Sequence, residues 1–298
     1  MALDVDRAEK PVRKLRKLLK KMPATPGADD VHDFRTNSRR IEATLEALSL
    51  DSGNNCRRIL KELSRLRKRA GKVRDMDVLT DYLLGVPHLE KEKECSVQLL
   101  EHLGAQRQKY AKKFDSARQQ YASELNRRLK RTSRRMVKVL PSNGKKDPNR
   151  ESLSAEVAAS ALKLLAGLTQ PTRLGKTNLH PYRLKVKELR NLSQMAEDSD
   201  QQEFVQRLGE VKDAIGEWHD WEELVAIAGE VLDHGANCGL ISELRRTVET
   251  KYRNGLDLAE AMRKQFLRMP ESGDRRSKRH RQRGPAEPVW LATAALVA

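Results

Sequence analysis

The segment Val31-His32-Asp33-Phe34-Arg35-Thr36-Asn37-Ser38-Arg39-Arg40-Ile41 returns, in frame, as Leu179-His180-Pro181-Tyr182-Arg183-Leu184-Lys185-Val186-Lys187-Glu188-Leu189. A second pair follows each copy: LSRLRKRAGKVRDMDVL at 63–79 and LGEVKDAIGEWHDWEEL at 208–224 align Gly71 with Gly216 and Asp75 with Asp220. The distance from the first motif to the second differs by only about three residues between copies, so chance is a poor explanation and a duplicated unit a good one. Whatever this chain folds into must be built twice from the same plan.

Both copies read as helix. Apolar residues recur at helical spacing nearly throughout, and the alternation of β-branched and aromatic residues that marks strands is almost absent. Breaks at 22–27, 51–54, 85–87, 141–148, 170–177, 197–200 and 234–239 combine Gly, Pro, Asn, Asp or Ser. They predict helices near 6–21, 29–50, 54–83, 89–139, 151–168, 178–196, 201–233 and 239–268. The linker PSNGKKDPNR at 141–150 divides the chain into halves at 6–140 and 151–268. From residue 269 the sequence loses apolar periodicity and carries Arg275, Arg276, Lys278, Arg279, Arg281 and Arg283, which predicts a disordered basic tail over 269–298.

On the first helix of the motif, at 100° per residue, His32, Arg35 and Arg39 fall within roughly 60° of one another, apart from Val31, Phe34, Ile41, Leu45 and Leu48. His180, Arg183, Lys187 and Arg190 repeat that cationic row beside Leu179, Tyr182, Val186 and Leu189. A row of charge is ordinarily a solvated face, and a histidine at a helix seam is ordinarily structural. Here the row recurs with the duplication. Like charges so arranged repel, and carboxylates are scarce along it: Glu42 follows Arg39, but its counterpart is Arg190. An external anion is the simpler compensation. On the basic first helix, Arg16 and Lys20 are further candidates for anion contact.

The charge balance agrees, with 59 Lys and Arg against 42 Asp and Glu in 298 residues, a formal net charge of +17. That surplus suits a polyanionic partner. Aromatics make up only 4% of the chain, too few for the base-stacking platforms of single-strand binders, so phosphate is the handle rather than base. Arginine meets phosphate oxygens with a planar fork and lysine with a point charge, while a histidine near a helix N-terminus adds a donor where backbone N–H groups favour an anion. An anion beside imidazole favours the charged ring, so binding is expected to strengthen toward acidic pH.

No glycine-rich phosphate loop, HExxH, nucleophile elbow or compact metal-ligand cluster is legible, so neither a cofactor nor an enzymatic activity is expected. His219-Asp220 has the form of the pair in metal-dependent phosphohydrolases, but its counterpart is Arg74-Asp75. The recurring element is the aspartate, read as a helix cap or as partner to a neighbouring cation. Cys56, Cys95 and Cys238 lie far apart with no CxxC, which fits reduced thiols rather than a disulfide framework or a zinc site. The charged N-terminus lacks a signal-peptide core, and the apolar run VWLATAALVA is about half a membrane span, so a cytoplasmic protein away from membranes is expected.

Together, VHDFRTNSRRIEATL, LHPYRLKVKELRNL and the two glycine-centred segments resemble the conserved-histidine α-helical domain, the CHAD family, over roughly residues 6–268. The resemblance implies an all-α fold of two four-helix bundles related by pseudo-two-fold symmetry, basic residues lining the surface and passage between them, and binding of inorganic polyphosphate. It implies ligand contacts at His32, Arg35, Arg39, His180, Arg183 and Lys187, and association with polyphosphate granules. Pro181 after the second histidine and Glu188 in place of Arg40 depart from the first copy. A nucleic-acid partner or an acidic protein partner is the alternative.

Overall fold

The computed structural model describes residues 5–47, 53–87, 93–139, 161–195, 202–233 and 238–267. Every regular element among them is helical: α1 (Val5–Lys21), α2 (Ala28–Ala47), α3 (Asn54–Leu84), α4 (Lys93–Val139), α5 (161–168), α6 (Lys176–Met195), α7 (Gln202–Val231) and α8 (Gly239–Phe266). The chain is all-α, as its periodicity predicts. The linker at 141–150, the start of the helix predicted from 151 and the basic tail lie outside the described residues.

The chain divides into two compact units, Met1–Lys145 with Leu224–Glu243, and Lys146–Glu223 with Leu244–Ala298. The end of α7 and the start of α8 group with the first unit. There the Gln98 side chain donates to the Val231 carbonyl and to Asp233, at 3.0 and 3.1 Å.

In the first unit α1 packs on α2 and α4, and α3 packs on α2 and α4, which closes a ring of four. Side-chain pairings set the directions. Glu9 meets Ser133, Arg16 meets Asn126 and Leu19 meets Arg118, so α1 and α4 are antiparallel. Asn55 with Thr132, Arg65 with Tyr121 and Asp77 with Arg107 make α3 and α4 antiparallel. Arg35 over Gly71 and Glu42 with Arg67 do the same for α2 and α3. The core joins Leu15 and Leu19, Val31, Phe34 and Ile41, Ile59, Leu63 and Leu66, and Phe114, Leu125 and Leu129. Each such burial stabilises by about 1.5–3 kcal/mol relative to exposure. Asn37 and Ser38, buried on α2, are tolerated because their side chains donate to the carbonyls of Asp33 and Phe34, both at 2.7 Å.

The second unit has its own core, with Leu165 and Leu168 from α5, Tyr182 and Val186 from α6, Val211, Ile215 and Trp218 from α7, and Ala259 and Met262 from α8. Phe204 stacks near Phe266 and Trp218 near Tyr252, with ring centroids 5.0 and 5.6 Å apart, so α7 and α8 run antiparallel. Arg263, only 4% exposed, donates to the carbonyls of Thr169 and Pro171 and fastens the α5–α6 connection to α8.

α6 starts at Lys176, two residues before its predicted start. Gly175 N–H donates to the Asn178 side chain at 2.9 Å, whose amide in turn donates to the Arg173 carbonyl, and this local lock advances the helix. Pro181 consequently sits in the second turn instead of the first. It is exposed, so water can serve the carbonyl four residues back that its missing N–H leaves unmatched.

Candidate functional site

Because Val31, Phe34 and Ile41 turn into the first core, His32, Arg35 and Arg39 are carried to the flank of α2, beside α3. Arg35 is half-buried there, and its guanidinium crosses Gly71: a Cβ built on that glycine would stand 2.8 Å from Nη1. The glycine is therefore the seat of the arginine, and any side chain would push it out. Past the glycine, Asp75 Oδ1 lies 3.8 Å from Nη1, a charge contact longer than a hydrogen bond. Burial pulls the Arg35 pKa down, Asp75 opposes that, and Arg74 and Arg67 add to it. The charges of Arg74 and Arg67 on α3 thus bear on Arg35 of α2.

Glu42 takes up one of them. Its carboxylate meets Arg67 through two contacts, 2.7 Å to Nη1 and 3.0 Å to Nη2. His32 is exposed one turn before Arg35, with Nε2 3.4 Å from Thr36 Oγ1, and Arg39 is exposed one turn after it.

The second unit repeats the arrangement with different neighbours. Arg183 crosses Gly216, with Nη2 2.8 Å and Nε 2.9 Å from the position of an added Cβ, and its Nε donates to the Lys212 carbonyl at 3.1 Å. Asp220 occupies the place of Asp75. Burial raises its pKa, while Arg183 and then His219 support its charge. Both aspartates fall inside helices and cap no helix end; Asp75 is within ion-pair range of Arg35, and the Arg183 charge acts on Asp220. Two turns beyond Arg183, Arg190 crosses a further glycine, Gly209, with Nε 3.1 Å from the added Cβ. That Nε is buried without a hydrogen-bond partner among the described residues.

His180 is half-buried against His219, with ring centroids 4.4 Å apart and planes tilted by 51°. Burial lowers its pKa, and the His219 and Arg183 charges lower it further. Its Nδ1 is buried with no hydrogen-bond partner among the described residues. His219, set aside in the sequence as half of a metal-type pair, is instead the neighbour of the duplicated histidine. Among the described residues no three His, Cys, Asp or Glu side chains gather in a metal-holding group.

The candidates therefore sort unevenly. His32, Arg35 and Arg39 share the α2–α3 flank, and His180, Arg183 and Arg190 face α7, with Lys187 half-buried on the same helix. Arg16 belongs to a different contact: its Nε donates to Asn126 at 2.9 Å between α1 and α4, and Lys20 is exposed on α1. Arg107, a further cation on α4, is engaged by Asp77 and the Pro26 carbonyl. Sequence reasoning did not single out Arg67 and Arg74. They lie four residues before and three after Gly71, on the glycine's own face, and that spacing was the signal available.

The family model for the CHAD domain matches residues 9–228. No curated protein and no solved structure matches the chain. Among the described residues no helix is long and apolar enough to cross a membrane. The matched span runs from α1 into α7 and takes in both duplicated histidines, both arginine-on-glycine seats and both aspartates, so the chain belongs to the CHAD family.

Proposed function

We propose that this protein binds inorganic polyphosphate without transforming it, using the cationic flank of α2 and α3 in the first unit and that of α6 and α7 in the second. The observation that carries the reading is the seating of Arg35 over Gly71, where the charges of Arg74 and Arg67 bear on it, together with the seating of Arg183 over Gly216 and of Arg190 over Gly209. Holding like charges together costs stability, and a polymer offering repeated phosphate oxygens relieves that cost at several guanidiniums at once. Affinity on this reading is largely electrostatic and falls steeply with salt, by analogy with counterion release from DNA. Association with polyphosphate granules follows from the same chemistry and from the family. Arg35 and Arg183 supply charge from their seats over the glycines, while Arg39, Arg74 and Lys187 are the better contacts for a long polymer.

The test is calorimetry of polyphosphate binding at physiological salt, with duplex DNA of matched charge as competitor, on the wild type and on Arg39→Gln/Arg74→Gln/Lys187→Gln. A dedicated site predicts binding that resists DNA, weakens at least tenfold in the variant and shows a salt dependence shallower by about one unit per lost phosphate contact. Equal binding of both polymers, unchanged in the variant, overturns the reading and leaves the nucleic-acid alternative.

A further inference from the structure

Cys95 and Cys238 are 143 residues apart in the chain, yet they meet in the first unit. Cys95 lies in the first turn of α4 and Cys238 immediately before α8. They are 4% and 3% exposed, and the Cys238 thiol donates to the Cys95 sulfur across 3.1 Å. Two buried thiols often serve only as small apolar fillers. This pair is closer than the ~3.5–4.0 Å of ordinary apolar contact, and about 1 Å from the ~2.05 Å of a disulfide bond. The approach is also held from outside the pair, by the hydrogen bonds of Gln98 to Val231 and Asp233.

We infer that Cys95 and Cys238 form a reversible disulfide when the protein meets a peroxide-class oxidant, stapling the segment before α8 to the start of α4. One thiol loses its proton and the thiolate attacks an oxygen of hydrogen peroxide; the O–O bond breaks, the departing hydroxide takes up that proton as the first water, and a sulfenic acid is left on that sulfur. The second thiol attacks the sulfenic sulfur, the S–S bond forms and the second water leaves. Two thiols and one peroxide thus yield one disulfide and two waters, with the two electrons passing from sulfur to oxygen. Burial makes the reaction wait on local opening, and a dithiol reductant reverses it. Cys56 is the internal control: it is 2% exposed, and its Sγ contacts Thr132 Oγ1 at 3.9 Å.

The experiment treats the full chain with hydrogen peroxide, then unfolds it in an alkylating probe and maps the peptides by mass. Wild type and Cys56→Ser are expected to lose two titratable thiols each, to yield an intramolecular Cys95–Cys238 peptide pair, and to recover both thiols with dithiothreitol. Cys95→Ser and Cys238→Ser form no internal crosslink. Oxidised wild type melts higher than reduced by about 5 °C or more, because the crosslink spans a long loop. All three thiols remaining free in wild type, a crosslink through Cys56, or one only between chains overturns the inference. The wild-type peptide map decides the matter even if a serine variant fails to fold.

Discussion

Arg35 and Arg183 stand at the same place in the repeat, each lying over a glycine on the neighbouring helix with an aspartate four residues beyond. Around Arg35 the next helix is basic, with Arg67, Lys68, Arg69, Lys72 and Arg74. Around Arg183 the corresponding positions are Lys212, Asp213, Ala214, Glu217 and His219. The carboxylates are distributed in the opposite sense along the first helix of each pair: Glu42 neutralises Arg67 in the first unit, while Arg190 fills its position in the second and closes over Gly209. The lesson is that the seat is a structural device common to both copies, whereas its charge environment has been assembled separately in each.

The largest difference between the copies should appear two residues past the seat, where Val73 and Trp218 are both buried. Trp218→Ala is expected to cost about 3–5 kcal/mol and Val73→Ala about 1–2 kcal/mol, read by urea unfolding of the full chain. Equal losses would mean that the two cores are not organised around equivalent positions.

The seats themselves come next. At Gly71 an added methyl group collides only with the end of Arg35, which can swing away. At Gly216 it meets Nη2, Nε and Cζ of Arg183, and the Nε is already committed to the Lys212 carbonyl. Alanine in a helix interior gains about 0.5–1 kcal/mol over glycine. Gly71→Ala should therefore be neutral or slightly stabilising, while Gly216→Ala loses about 1–2 kcal/mol. A thermal shift of the same sign and size in both would break the distinction.

Glu42→Gln probes the charge difference directly. It should lose about 1 kcal/mol of stability with the half-buried ion pair, and it should raise polyphosphate affinity several-fold by releasing Arg67. Arg190→Gln should lower that affinity. Calorimetry of the two variants moving in the same direction would show that these positions are not counterparts in binding.

The smallest effect expected is a tilt in pH dependence. The folded-state pKa of His180 is lowered, chiefly by burial, so the unfolded chain takes up its proton first as pH falls. The contribution of neutral His180 is complete above about pH 6.5 and declines below it, down to the lowered folded value. His180→Gln should flatten the fall in melting temperature between neutral and mildly acidic pH. A bound polyanion works in the opposite direction, favouring the charged ring, so polyphosphate should itself shrink this tilt in the wild type.

Much of this was legible from residues alone. Where helix ends fall among the described residues, as at Lys21, Asn54, Leu84 and Gly239, Gly, Pro and Asn clusters marked them, and the cationic row came from the 100° arithmetic on 31–41 and 179–189. Pairing the two glycine-centred segments identified Gly71 and Gly216 as counterparts. Their purpose was not legible, because a glycine in a helix carries no mark of the side chain that will lie across it from another helix. Arg16 could not be told apart from its solvated neighbours on a strongly basic helix, because its bond to Asn126 crosses 110 residues of chain.

Periodicity, duplication and charge are local or additive properties, and each can be counted along a line. They set the all-α class, the repeated motif and the preference for a polyanion. Which arginine is seated over a glycine, which is neutralised by Glu42, which histidine faces another, and that Cys95 reaches Cys238 all depend on contacts between helices distant in sequence. Such contacts are settled by how side chains fill the space between neighbouring helices, and a linear pattern does not contain that space.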